Sequence, residues 1–596
     1  MADSPNKNSE GVVTFSIKSN GSPIKDTVQI LSIEVTKTIN KIASATLEIL
    51  DGDMSSQDFP ISNNDVFKPG STIVITAGYA SKEQQIFSGI VIRHGISINA
   101  KQRARLIVEC KHKAVGMTVS RNSNNYVKKK DSDIITTLIG NCSGVTADVA
   151  TTTTKFEELV QFNCTDWDFI LARAEANGFV LCADDDKLTV KAPQIKSAVL
   201  TVTYGADLIE FNADIDARYQ YKSVKAVSWD IKNQTALVEE VKAKTLNKQG
   251  DLSADDLAKT LGLSDFRMQS TTPIEKSALK DWAAGQQVKS ALARIRGNMK
   301  FQGSYDAKIG SIIEVKGVGN RFNGDVYVSS VTQQISNGKW FTSVEFGMSP
   351  NWSADHRDLA TPAASGLQPG VEGLQIGVVM KLNEDPDKQN RIQVSVPILQ
   401  AETQGIWARL ATYYASAGFG NFFIPEVGDE VVLGYFNNNP SEPVILGSLY
   451  SSANKPAYEL TAENDTKAIV TKSGLKVEFN EKDKITTIMT PGNNKIVLSD
   501  KDKSILLQDQ NNNTVELASG GITLNSPKDI KISAKGKISL DAVGEIDVSS
   551  SGGDVKVAGL NVNLTAQIGF VAKGSATAEL SASGQTTVKG AMVMIN

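Results

Sequence analysis

Apolar residues recur in pairs through the last part of the chain, and the step between pairs is eight. Ile522/Leu524, Ile530/Ile532, Ile538/Leu540 and Ile546/Val548 follow at that interval. A nine-residue step to Val555/Val557 and a seven-residue step to Val562/Leu564 cancel. The phase then holds through Phe570/Ala572, Ala578/Leu580 and Thr586/Val588. Members of a pair stand two residues apart, so both side chains lie on one face of an extended strand. Ser, Asn, Lys, Asp and Gly fill the intervals, and no sustained run of apolar positions three and four apart offers a helix. The repeat predicts a β-helix over residues 521–596, one short strand per octad.

Two apolar side chains per octad cannot by themselves offset the entropy of ordering eight residues. Three chains wound about one axis would share a dry core and pair their backbone groups. The sequence therefore predicts a homotrimer whose core is built from the pairs between Ile522 and Leu564. A single-chain solenoid is the alternative, but its coils are usually longer than eight residues.

At 596 residues the chain has room for about four domains. A formal charge of -4 gives no nucleic-acid footprint. No apolar run is long enough to span a bilayer, and Met1 to Asn20 lacks the apolar core of a signal peptide. Synthesis in the cytoplasm, without export by the general secretory route, is expected. Cys110, Cys142, Cys164 and Cys182 form no CxxC pair and read as reduced, partly buried thiols. His94, His112 and His356 are the only histidines, too few for most metalloenzyme and hydrolase sites.

Before the repeat the chain reads as mainly β. Residues 1–120 alternate apolar and polar positions strand after strand (Thr46–Leu50, Thr72–Thr76, Ile86–Ile92, Arg105–Cys110) and predict a first barrel. Residues 121–205 predict an α/β insertion. One helix opens at an Asp131-Ser132-Asp133 cap, and a second runs from Thr165 to Asn177-Gly178. Residues 206–350 predict a second barrel with a helical insertion over 231–298, including a helix at Ala283–Arg296. Residues 351–372, rich in Ala, Ser, Pro and Gly, read as a linker. Five strands over 373–450 suit an OB-fold. In 451–520 a connector leads to a β ladder with turn clusters about ten residues apart.

Within 373–450 the residues become specific. Ile376-Gly377-Val378-Val379, Asp385-Pro386-Asp387 and Arg391-Ile392-Gln393-Val394 lead to Trp407-Ala408-Arg409. Gly420-Asn421-Phe422-Phe423-Ile424-Pro425-Glu426-Val427-Gly428-Asp429-Glu430 follows, and Glu442-Pro443-Val444-Ile445-Leu446-Gly447 closes the block. This series resembles the OB domain of VgrG, the spike of contractile injection systems. The first ~350 residues are similar to the tailed-phage hub protein fused ahead of it, with Thr165-Asp166-Trp167-Asp168-Phe169 as a common segment. The end, Val588 to Asn596, resembles VgrG tips.

The resemblance implies a trimeric hub on the tail tube and baseplate, a tip capped by a PAAR-type cone on Met592, Val593, Met594, Ile595 and Asn596, and carriage of effectors. The phage counterpart holds a lysozyme between barrel and needle. Ser451–Ile469 is too short for one, and no effector follows the needle within the sequence, so an inert spike without cofactor is expected. Assembly in the bacterial cytoplasm, followed by delivery outside the cell or into a target on firing, follows from the same resemblance.

Candidate chemistry elsewhere is weak. Asp184-Asp185-Asp186 could gather round a hard cation but reads better as a hairpin turn. Asp385 and Asp387 flank Pro386 in a turn and do not make an acid/base pair. His94 and His112 lack a third ligand at metal spacing. Lys128-Lys129-Lys130 reads as a solvated loop. From residue 461 onward 15 Lys balance 15 Asp or Glu, so the needle has no attraction to anionic lipid, and no stable membrane insertion is expected. The rival function, a phage-type tail-spike enzyme degrading cell wall or surface polysaccharide, needs paired carboxylates in a groove, and no segment offers them.

Overall fold

The computed structural model describes residues 2–8, 11–100, 102–355, 362–399 and 405–595. The chain divides into two compact units, Met1–Leu449 and Tyr450–Asn596. Both are mainly β.

In the first unit a 13-stranded sheet joins the two regions predicted as separate barrels. The seam is the antiparallel pairing of Ile30–Thr38 with Gly324–Ser336, where Val35 faces Gln333. One sheet carries two cores. Alternation along Ser44–Leu50 and Thr72–Tyr79 turns Leu47, Ile49, Ile73 and Ile75 inward to the first core. Phe301, Val315, Val328, Val344 and Phe346 make the second. Trp340 comes from the second region yet packs in the first core, stacked on Tyr79 at 5.3 Å. Its indole N–H donates to Gln333 Oε1 at 2.8 Å, so the polar edge of the ring is satisfied. A Cβ at Gly303 would stand 2.1 Å from that ring, which excludes any larger residue there.

The α/β insertion packs helices Asp131–Gly140 and Asp166–Ala176 on a three-stranded sheet of Thr146–Val149, Lys187–Lys191 and Val180–Asp184. Ile135, Ile139, Ile170, Leu181, Leu188 and Val190 fill its core. The second helix opens at Thr165 as expected, and that residue caps it: its hydroxyl accepts from the Asp168 N–H at 3.0 Å. Gly178, at φ +67, ends that helix. Asp131 does not cap the first helix. Lys130 holds the capping position, while the Asp131 carboxylate is buried and forked by Arg173 Nε and NH2 at 2.7 and 2.9 Å. Lys128-Lys129-Lys130 is not a loop but the end of the strand Arg121–Lys130, paired with Lys155–Thr165.

The region 231–298 is only partly helical. Strands Thr235–Lys242 and Asp265–Gln269 flank Ser223–Asp230 in a second three-stranded sheet, covered by the helix Lys276–Ala293. Glu239 interrupts the inward row between Leu237 and Val241 and pairs with Lys276 at 3.5 Å, which hides the alternation in the sequence. The helix begins before Ala283 and stops at Ala293, so Arg296 lies in the next strand, Ile295–Gln302.

Residues 375–448 form a closed five-stranded barrel with Val379, Val394, Ala408, Val431, Leu433 and Ile445 inside. Its strands are Gln375–Lys381, Ile392–Ser395, Ile406–Leu410, Glu430–Tyr435 and Pro443–Ser448, close to those expected.

The second unit opens with a seven-stranded antiparallel meander from Thr466–Val470 to Gly521–Asn525. Its turns fall on Asn, Asp, Lys and Gly, with Lys484, Asn493, Lys503 and Asn512 at positive φ.

Candidate assembly surface

Cross-strand pairing in the meander lines up two rows of side chains on one face. The first runs Phe479, Thr486, Leu498, Ile505, Leu517, Ile522. The second runs Val477, Ile488, Ile496, Leu507, Val515, Leu524. Only Thr486 breaks the apolar face. The opposite face mixes Glu478, Thr487, Val497, Leu506 and Glu516. Phe479, Ile488, Ile496, Leu498, Ile505 and Leu507 are exposed, whereas Glu478, Thr487, Val497 and Leu506 are half-buried. The face that gains most from leaving water is the one left in it.

Beyond Asn525 the backbone runs in straight segments of six residues separated by bends. The bends fall at 527–528, 535–536, 543–544, 551–553, 560, 567–568, 575–576, 583–584 and 591–592. Each apolar pair occupies the second and fourth places of its segment. The nine-residue step is absorbed by the three-residue bend at Ser551-Gly552-Gly553, and the seven-residue step by the single-residue bend at Leu560. Among the described residues, no segment after Asn525 pairs with another in a β ladder of the same chain. Backbone groups without ladder partners beside exposed apolar side chains are not a stable end state for one chain in water.

The twelve residues expected in a dry core are not buried within one copy of the chain. Ile522 and Leu524 lie in the last strand of the meander, at 73% and 56% exposed. In the straight segments the exposure alternates within each pair. Ile530, Ile538, Ile546, Val555 and Val562 range from 49% to 55%, whereas Ile532 is 70% exposed, Leu540 73%, Val548 67%, Val557 72% and Leu564 71%. Among the described residues no strand of the same chain pairs with these segments, and their apolar side chains stay in water. These side chains belong to no buried core among the described residues of one copy.

The meander rows were missed in the sequence because Thr486 breaks them and, with the chain reversing at every turn, the step between members of a row varies from 5 to 12 residues where the later repeat has eight. Met592, Val593, Met594 and Ile595 are exposed at the end, while Asn596 lies outside the described residues.

The other residues singled out in the sequence have local partners. Asp184 pairs with Lys37, Asp186 with Lys113 at 3.0 Å, and Asp185 accepts from Gln85 Nε2 at 2.6 Å. The acidic turn thus docks the α/β insertion on the first sheet. Asp385 accepts from Arg391 NH2 at 2.6 Å and from the Gln389 N–H at 2.7 Å. Hydrogen bonds from Arg391 hold its carboxyl well below the usual range. His94 bridges Ser62 Oγ at 2.7 Å and the Phe67 carbonyl at 2.9 Å. His112 accepts the Ala114 N–H at 3.1 Å, and burial pushes its pKa down. His356 lies outside the described residues. The four thiols are free, and burial pushes Cys110 and Cys182 up to about 12. Among the described residues no three His, Cys, Asp or Glu side chains gather in a metal-binding group.

A buried ion pair escaped the sequence reading. Lys289 Nζ lies 2.7 Å from Glu175 Oε1 with both side chains out of solvent. Lys289 also donates to the Asn351 carbonyl at 2.9 Å, and Glu175 accepts from the Ser353 N–H at 2.8 Å. Helices Asp166–Ala176 and Lys276–Ala293 are thereby tied to the segment that follows the large sheet. No local pattern marks such a pair, since its members stand 114 residues apart.

The family described as the type VI secretion system/phage-baseplate injector OB domain matches residues 375–450. The chain is 31% identical over 83 residues to the type VI secretion system spike protein VgrG1c of Pseudomonas aeruginosa, 13% of this chain and 11% of that protein. It is 31% identical over 125 residues to VgrG5 of the same organism, 20% of this chain and 15% of that one. The match therefore spans only a small part of those spike proteins. Among solved structures, the 43 kDa tail protein of prophage MuSo2 from Shewanella oneidensis aligns with a TM-score of 0.42 at 10% identity, covering 57% of this chain and 98% of that one. The family described as the Alg8 N-terminal domain matches residues 9–337. More than half of the sequence lies in that match, and the chain belongs to the family that the Alg8 N-terminal domain defines.

Proposed function

We propose that three copies of this chain form the hub and spike of a contractile injection machine. The observation that carries this reading is the second unit's succession of six-residue straight segments, each presenting two apolar side chains with no partner in its own chain. Two further copies would supply both missing elements, hydrogen-bonding edges and a dry core. The VgrG names of the matched relatives and the injector OB domain support a setting in type VI secretion or a phage-like particle.

In this reading the first ~350 residues seat on tail tube and baseplate, and the OB barrel hands over to the needle. Stacked strands with paired backbones and a filled core resist bending, so the needle transmits axial force from a contracting sheath. Met592–Asn596 dock a PAAR-type tip, and effectors travel with the spike. The spike has no catalytic role of its own. Particles assembled with a chain lacking residues 592–596 should keep the spike and lose the tip protein. Particles that retain the tip would contradict the docking role.

A further inference from the structure

A cluster of exposed aromatic side chains lies between the OB-barrel strands Ile406–Leu410 and Glu430–Tyr435. Residues 411–425 contain no charged side chain but carry Tyr413, Tyr414, Phe419, Phe422 and Phe423, all exposed, with Tyr413 and Phe422 at 87%. This is no loose loop. Ala415–Ser416 pairs with Phe419–Gly420, and the Asn421 N–H returns to the Tyr414 carbonyl at 2.8 Å. Gly420 takes φ +144, and a Cβ there would meet the Tyr414 carbonyl at 2.7 Å. The aromatic rings are thus held out in water by a fixed hairpin, a preorganised arrangement that lowers the cost of binding.

The same barrel carries a second apolar surface of different shape. Along Gln375–Lys381, Gly377 and Val379 face the core, so the alternate positions face out. Those positions, extended by one residue at each end, are Leu374, Ile376, Val378, Met380 and Leu382. An outward row of five aliphatic residues on a barrel strand is unusual, and all but Val378 are exposed.

We propose that neighbouring copies join head to tail at this level, the aromatic hairpin of one barrel packing on the aliphatic row of the next. This rests on the association of copies proposed above and names a second contact for it. Two different patches on one protomer make a heterologous contact, which closes into a ring when the rotation allows. The absence of charge on either patch fits a permanent contact between like chains better than a transient one with a foreign protein. Chain continuity supports the same occupant. The barrel's last strand, Pro443–Ser448, ends two residues before the unit whose apolar face needs other copies.

The test uses the full chain and peroxide oxidation of methionines read by mass spectrometry. Met54, 95% exposed and far in sequence from either patch, is the internal reference. In the wild-type assembly Met380 should oxidise about tenfold more slowly than Met54, as expected of a side chain shielded by a packed partner. Phe422→Ser with Phe423→Ser should abolish that protection while the three-copy mass persists. If that variant fails to fold, Leu374→Ser with Ile376→Ser should raise hydroxyl-radical labelling of Tyr413 and Phe422. Met380 reacting as fast as Met54 in an intact trimer would overturn the head-to-tail contact and leave the trimer standing. Protection that survives loss of the hairpin phenylalanines would also overturn it, since something else then covers the row. A wild-type chain found as a monomer would remove the underlying assembly instead.

Discussion

Trp340 in the first unit and Leu540 in the second are both large apolar side chains, yet one is fully buried by its own chain and the other is 73% exposed. The contrast holds generally. Strands of the large sheet fold back on partners up to about 300 residues away, and two cores close within a single copy. Among the described residues after Asn525 no segment pairs with another in the same chain, and Ile532 and Val548 stay 70% and 67% exposed. One unit completes itself; the other, in the proposed assembly, is a third of a structure.

The comparison is broken most severely by a charge in the needle. Ile538→Asp should abolish association of the chain, because a carboxylate in a shared dry core has no counter-charge. The hub's circular dichroism should stay native in that variant. In the first unit the expected loss is of stability, with copy number unchanged. Lys289→Met leaves Glu175 buried and unpaired and should cost about 3–5 kcal/mol in denaturant unfolding of the hub. Leu47→Ala opens a cavity in the first core and should cost about 2–5 kcal/mol, again without altering the mass of the assembly.

The smallest effect concerns the OB barrel and pH. Arg391 holds the Asp385 carboxyl below its ordinary value of 3.8. The group therefore contributes stability that is full above that value and fades as pH falls toward its folded pKa. Thermal melts should show the barrel losing this stability only as pH falls below 3.8 toward strong acid. Asp385→Asn should lower the neutral melting temperature and flatten that dependence.

Legibility in the sequence followed the range of the interactions. The OB strands and the helix opening at Thr165 are set by near neighbours, and the structure places them where the sequence put them; the octads keep their bends, but no strand forms within one copy among the described residues after Asn525. Asp131 looked like a cap because Asp opens helices, but a distant Arg173 claims its carboxylate. Thr235–Lys242 looked helical because Glu239 sits in its inward row to meet Lys276. Union of the two hub regions in one sheet depends on pairing between strands at opposite ends of the hub, which no local pattern records. The exposed apolar face was legible from Ile522 onward. Its earlier half, Val477 to Leu517, became visible only through the register of the meander.

The most direct test is the mass of the intact wild-type chain in solution, measured by light scattering at physiological concentration. Three copies per particle are expected, held together with the C-terminal segments protected from proteolysis. A monomer of 63.9 kDa whose residues 526–595 nevertheless resist protease would contradict the account.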